Sequence, residues 1–296
     1  MIITRRAFFG RAGMGAITAG FAARAQALDL PFGCQLHAVR TRAAADFPGT
    51  LAAIAALGYR EVELVSFRGY ASAATRDGFG PLAPLAPSSI RNTIRDAGLT
   101  ANSAHFKFEE FQESTFADRV QWARGVGLQY MTVSDLPPQP TLEGWKRVFD
   151  ALNTIGARVR TEGLRLGLHT QNDLWREVGG VRVMDALLTA VDTERCQVQL
   201  DLSTTQSMQI DATEFLRGYA KRCFSVHLRD APTPAKPGGY VNAIALGDGD
   251  LDLPDILRAA RAGGISSYIV EMQVAPPADP MEALRRSAAY LRALAL

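Results

Sequence analysis

The sequence predicts an α/β fold, a closed (β/α)8 barrel, on three observations. Short apolar runs alternate with stretches of helical period eight times along the chain. Several helical stretches end in glycine just before the next run (Gly58, Gly98, Gly127, Gly163 and Gly264). A left-handed glycine there turns the chain at little steric cost. Histidines and acids stand where the apolar runs stop, which is where barrel enzymes keep their chemistry. A doubly wound open sheet is the alternative, but no G-x-G-x-x-G follows any strand.

Each element follows from its local pattern. Strand 1 is expected over Phe32–Ala38, and helix 1 over FPGTLAAIAALG. Strand 2 is Glu61–Val65; a Pro/Gly-rich loop, GFGPLAPLAPSS, then leads to helix 2, IRNTIRDAG. Strand 3 is Thr100–His105, helix 3 lies within STFADRVQWARGVG, and strand 4 is Tyr130–Ser134. The longest helix, TLEGWKRVFDALNTIGARVRTEG, precedes strand 5, Arg165–His169. Helix 5, RVMDALLTAV, leads to strand 6, Gln197–Asp201, and helix 6, DATEFLRGYAK, to strand 7, Phe224–Arg229. Helix 7, LPDILRAARAGG, strand 8, Ser267–Glu271, and helix 8, DPMEALRRSAAYLRALAL, complete the set. Strand alternation sorts the side chains. Phe224, Val226 and Leu228 form an outer apolar face, and Ser225, His227 and Arg229 an inner polar one. By the same rule Gln199 and Asp201 oppose Val198 and Leu200, and Ile269 and Glu271 oppose Tyr268 and Val270.

Residues 1–27 are expected to be a targeting segment rather than part of the fold. Thr4-Arg5-Arg6-Ala7-Phe8-Phe9 reads as a twin-arginine export signal. A weakly apolar stretch, Gly13 to Ala23, follows it, and Ala25-Gln26-Ala27 offers a cleavage site. The apolar stretch is too short and too rich in Gly and Ala for a stable membrane span. The expected address is the periplasm, reached through the twin-arginine export machinery. Removing this segment takes away four arginines and no acids. That leaves 28 basic against 30 acidic residues, a net charge of about −2 in place of +2. No basic field then remains for nucleic acid or an anionic membrane. Residues 28–296 suffice for one barrel domain, and association into a homo-oligomer is left open. Cys196 and Cys223 lie near the starts of neighbouring strands. Both a disulfide and a pair of buried thiols are open readings, with buried thiols favoured.

All four histidines close apolar runs: His37 in FGCQLH, His105 in LTANSAH, His169 in LRLGLH and His227 in CFSVHL. Glu63, Asp201 and Glu271 occupy the same setting. Imidazoles and carboxylates gathered at the ends of parallel strands are what a divalent-metal site in a barrel needs. Asp201, His227 and Glu271 share the inward face of successive strands, and His169 closes the strand before them. Glu63, His105, Arg229 and, more weakly, His37 are candidates for binding substrate oxygens or orienting ligands. Phe67, Phe106, Trp145 and Trp175 lie in or near loops after strands, where aromatics stack on sugars or pack. Asp248, Asp250 and Asp252 suggest a calcium loop, but Leu253 and Ala259 occupy the positions that require Gly and Glu.

Taken in order, GYREVEL, AGLTANSAHF, TEGLRLGLHTQN, VQLDLS, VHLRDA, ALGDGDLDLPDIL and YIVEMQ resemble the sugar phosphate isomerase/epimerase family with the xylose isomerase-like TIM barrel. The resemblance covers nearly all of residues 32–290. It implies a divalent ion held by an acid on strand 5, an aspartate on strand 6, a histidine on strand 7 and a glutamate on strand 8. Asp201, His227 and Glu271 match the last three, and His169 stands where the acid is expected. Two imidazoles with two carboxylates suit zinc or manganese, with magnesium possible. The implied reaction is isomerisation or epimerisation of a carbohydrate by proton transfer next to a carbonyl, through a metal-stabilised enediolate. Glu271 is the implied base, and His169 either a ligand or the second base. The expected address favours a substrate without phosphate. Two further readings are a lyase or hydrolase acting on 3-keto-glycosides and a non-catalytic periplasmic sugar-binding barrel. Abasic-site cleavage, known on this fold, demands more metal ligands than four histidines readily supply.

Overall fold

The structure, a computed structural model, describes residues 31–71, 78–239, 243–272 and 279–294. The proposed export signal lies outside these residues. Eight parallel strands close into a barrel: β1 (Gly33–Gln35), β2 (Glu61–Val65), β3 (Ser103–Phe106), β4 (Tyr130–Val133), β5 (Arg165–His169), β6 (Cys196–Asp201), β7 (Cys223–Leu228) and β8 (Ser267–Val270). β1 pairs with both β2 and β8, so no edge is left open. All eight expected strands are present, and helices such as Phe47–Ala56, Leu142–Thr161 and Leu253–Ala262 form where helical period was read. Their starts carry side-chain caps: Asp46, Thr141 and Asp252 each accept a first-turn backbone N–H. A two-stranded ribbon, Glu177–Val178 with Val181–Arg182, is added after β5. Among the described residues, no helix is long and apolar enough to cross a membrane.

Two local readings are corrected. Strand 1 ends at Gln35, and Leu36–Val39 coil into a 3-10 turn. Gln35 drives this turn, because its side-chain oxygen accepts the His37 N–H at 2.9 Å. His37 therefore leaves the strand, and its ring settles near Tyr70 and Phe79. The second correction concerns Phe224. The register of β6 against β7 pairs Val198 with Cys223 but Gln199 with Ser225, so Phe224 is the extra residue of a bulge. Instead of lying under the helices with Val226 and Leu228, it stacks on Tyr130 with centroids 3.9 Å apart. It fills the space at Gly167, where a Cβ would fall 2.7 Å from Phe224 Cε1 and 2.8 Å from Thr132 Oγ1. Thr132 and Gly167 lie level with His105 across β3, β4 and β5, so the Phe224 ring reaches the interior beneath the histidines.

The aromatics Phe67, Phe106, Trp145 and Trp175 are all buried and pack into the core. Cys34, Cys196 and Cys223 are buried free thiols, so the thiol reading of Cys196 and Cys223 holds over the disulfide. Asp248, Asp250 and Asp252 are each occupied structurally. They pair with Arg286, accept the Thr233 N–H and cap a helix, respectively.

Candidate metal centre

β5 to β8 deliver one donor each to the C-terminal mouth. His169 ends β5, Asp201 ends β6, His227 lies in β7 level with Asp201, and Glu271 follows β8. Ligand atoms of His169, Asp201, His227 and Glu271 all lie within 4.8 Å of one another, and all four residues are buried. A second group, His105, His169 and His227, meets the same distance criterion and shares two members with the first.

Local bonds aim each donor. The Asp201 N–H donates to Thr170 Oγ1, and Asp201 Oδ1 accepts both the N–H and the hydroxyl of Ser203 at 2.6 Å. That leaves Oδ2 facing His169 Nε2 at 3.2 Å and Arg229 Nε at 3.0 Å. Arg229 also reaches Glu271 Oε1 at 2.7 Å. The guanidinium thus pairs with two acids of the donor group. His227 lies between two carboxylates, Nδ1 at 2.6 Å from Glu271 Oε2 and Nε2 at 2.6 Å from Glu63 Oε2. Only the Nδ1 contact has hydrogen-bond alignment. Despite their short ionic contacts, His227 Nε2, Asp201 Oδ2 and Arg229 Nε have no aligned hydrogen-bond partner.

Glu63 is fully enclosed, two residues below the level of His105 on β2. Its Oε1 accepts from Ser103 Oγ at 2.6 Å and Gln199 Nε2 at 2.7 Å, and its Oε2 from Gln35 Nε2 at 3.1 Å. His105 Nε2 is 3.2 Å from the same Oε2 and 2.8 Å from Gln199 Oε1. His105 and Glu63 therefore support the donors from beneath. His37 is in neither donor group. Gln35 and Gln199 were not singled out by sequence reasoning. The signal available was alternation, which puts Gln199 on the inward face with Asp201, where a buried amide needs partners. Asp230, next to Arg229, accepts backbone N–H groups from Ala231, Gly247, Gly249 and Leu251 and ties that loop to the end of β7.

The electrostatics follow from this packing. Burial pushes the Glu63 carboxyl up, but His227 and His105 outweigh it and hold it at about 2. Burial is likewise overcome at Asp201 by Arg229 and His169, and at Glu271 by Arg229 and His227, so both stay below the usual carboxylate range. Burial lowers His105 to about 4, so it is neutral at pH 7. For His227, burial also disfavours the charged ring, yet Glu63 and Glu271 raise it to about 10. Three carboxylates thus share an enclosed space with one guanidinium. A divalent cation with neutral imidazoles balances that charge, and in its absence His227 takes up a proton. The donor chemistry, the mutual distances and the lack of an aligned hydrogen bond at Asp201 Oδ2 and His227 Nε2 all fit a divalent ion held by His169, Asp201, His227 and Glu271.

Comparison with known proteins agrees with the fold. The model of the xylose isomerase-like TIM barrel family matches residues 51–294, and the chain belongs to that family. A sugar phosphate isomerase/epimerase from Parabacteroides distasonis superposes with a TM-score of 0.74 at 22% identity, over 95% of this chain and 98% of that one. The IOLI protein with a bound zinc atom superposes with a TM-score of 0.68 at 13% identity, over 88% and 96% of the two chains. An inosose dehydratase from Clostridium perfringens is 24% identical over 167 residues, 51% of this chain and 54% of the dehydratase. The chain thus spans about half the length of the curated relatives it matches.

Proposed function

We propose that the chain is a divalent-cation-dependent carbohydrate enzyme that removes a proton from the carbon beside a carbonyl, in the manner of a sugar isomerase or epimerase. One observation carries this reading. Four buried donors from consecutive strands converge at the mouth, two of them with atoms that have no aligned hydrogen-bond partner. A bound cation, zinc or manganese by donor type, would polarise the substrate carbonyl. Glu271 is the base, because it is the carboxylate of the set not tied into a helix cap. Arg229 holds Glu271 by one oxygen and offers its positive charge to a developing oxyanion. Glu63, Gln35 and Gln199 exclude water from below and keep the imidazoles in place.

A second reading is a lyase that expels a leaving group after the same deprotonation, from a keto-cyclitol or a 3-keto-glycoside. His169 favours it, since elimination can begin from one base, and so does the similarity to inosose dehydratases. The test is incubation of the cation-loaded protein with ketohexoses, an inosose and a 3-keto-glucoside, followed by proton NMR. Isomer or epimer supports the first reading, while enone or free aglycone supports the second. No turnover of any of them with cation bound overturns both. Export as a folded protein to the periplasm belongs to the same proposal, supported by Arg5-Arg6 and Ala25-Gln26-Ala27. Recovery of the uncleaved chain from the cytoplasm alone would count against it.

A further inference from the structure

Gln199 sits at the centre of the buried network, fully enclosed on the inward face of β6. The orientation of its amide is dictated by Glu63. Gln35 Oε1 accepts the His37 N–H, which turns the Gln35 NH2 onto Glu63 Oε2, and the Ser103 hydroxyl donates to Glu63 Oε1; the Glu63 carboxyl thus faces donors, and the group 2.7 Å from its Oε1 is the Gln199 NH2. Gln199 Oε1 is then turned toward two imidazoles, His105 Nε2 at 2.8 Å and His169 Nδ1 at 3.2 Å. A carbonyl oxygen can only accept, so both of those nitrogens carry hydrogen. In His169 the remaining nitrogen is Nε2, which lies 3.2 Å from Asp201 Oδ2 among the donor atoms.

We propose that Gln199 is a positioning residue that is oriented by Glu63, holds His169 as its Nδ1–H tautomer and so commits His169 Nε2 to the cation. The inference rests on the cation reading above and deepens it. With Nδ1 donating to Gln199 and Nε2 spent on the ion, His169 has no nitrogen left for proton transfer and is a ligand rather than a second base.

The chain has only four histidines, so imidazole 15N–1H correlation spectra of histidine-labelled protein resolve each ring. In the cation-free parent at neutral pH, His169 is expected to carry hydrogen on Nδ1, with or without a second hydrogen on the Nε2 that faces Asp201; an Nε2–H tautomer with a bare Nδ1 overturns the proposal. Gln199→Met keeps the volume and removes the acceptor. It is expected to mix the His169 tautomers and to weaken zinc binding, read by chelator competition, about 10- to 100-fold. Gln199→Glu, carrying a proton on the oxygen that faces Glu63, keeps its other oxygen toward both rings and is expected to hold the parent tautomer, which a merely space-filling role would not require. Unchanged tautomer and zinc affinity in Gln199→Met refute the assignment. If that variant does not fold, the parent and Gln199→Glu spectra decide. Should the parent bind no divalent cation, the proposed function fails while the tautomer measurement still judges Gln199.

Discussion

Replacing Glu63 by glutamine tests the network most severely. The substitution keeps the shape and can keep Oε1 as acceptor for Ser103 and Gln199. It turns Oε2 into an NH2 facing Gln35 Nε2, His105 Nε2 and His227 Nε2, at 3.1, 3.2 and 2.6 Å in the parent. Breaking one buried ion pair costs about 3–5 kcal/mol, and each buried donor left unmet about 1–3 kcal/mol. These terms overlap, so the expected loss in the cation-free protein is about 4 kcal/mol or more, a large share of a typical domain's stability. The assay is urea unfolding in excess chelator at pH 7. A loss below about 1 kcal/mol would mean that Glu63 is not the counter-charge of His227. The pH profile provides an independent check. His227 rises from 6.5 to about 10 on folding. The stabilisation it brings is therefore complete below pH 6.5 and disappears as pH climbs through 10. Its full size is about 5 kcal/mol by linkage. The cation-free parent should weaken steadily over that window, and Glu63→Gln should show a flatter curve.

Three other outcomes are expected. Elemental analysis of the purified parent should find about one divalent ion per chain, and His227→Ala should lose it; full occupancy in that variant would refute the ligand set. Glu61 is raised to about 7 by burial and by neighbouring Glu63, so its ionisation is costless below pH 4.5 and fully adverse above pH 7. Glu61→Gln should thus stabilise the fold by about 2–3 kcal/mol at pH 8 and leave it unchanged at pH 4, as read by unfolding at both values. Gly167→Ala should cost about 1–3 kcal/mol, because its Cβ collides with Phe224 and Thr132. The near-UV circular dichroism of the Tyr130–Phe224 stack should change with it, and parent-like stability and spectrum would disprove the inward placement of Phe224.

Much of the site was legible in the chain before folding. His169, Asp201, His227 and Glu271 could be placed together because each ends an apolar run and the side-chain period of a strand is two. Glu63 and His105 were visible as polar residues in the same setting, but their depth and their shared contacts with Gln199 were not. Gln199 was passed over because a glutamine beside an aspartate looks unremarkable until its partners, contributed from β2, β3 and β5, surround it.

The amino-acid sequence alone determined the barrel, its strand order and the residues that end each strand, since periodicity, glycine stops and chain order are local properties. Tertiary structure decided the rest. The bulge that turns Phe224 inward depends on how β7 registers against β6, and the departure of His37 on a side chain two residues away. The tautomer proposed for His169 depends on an amide bonded to an acid 136 residues distant along the chain. Lateral register and buried hydrogen bonds join residues far apart in sequence, so no single stretch of the chain encodes them.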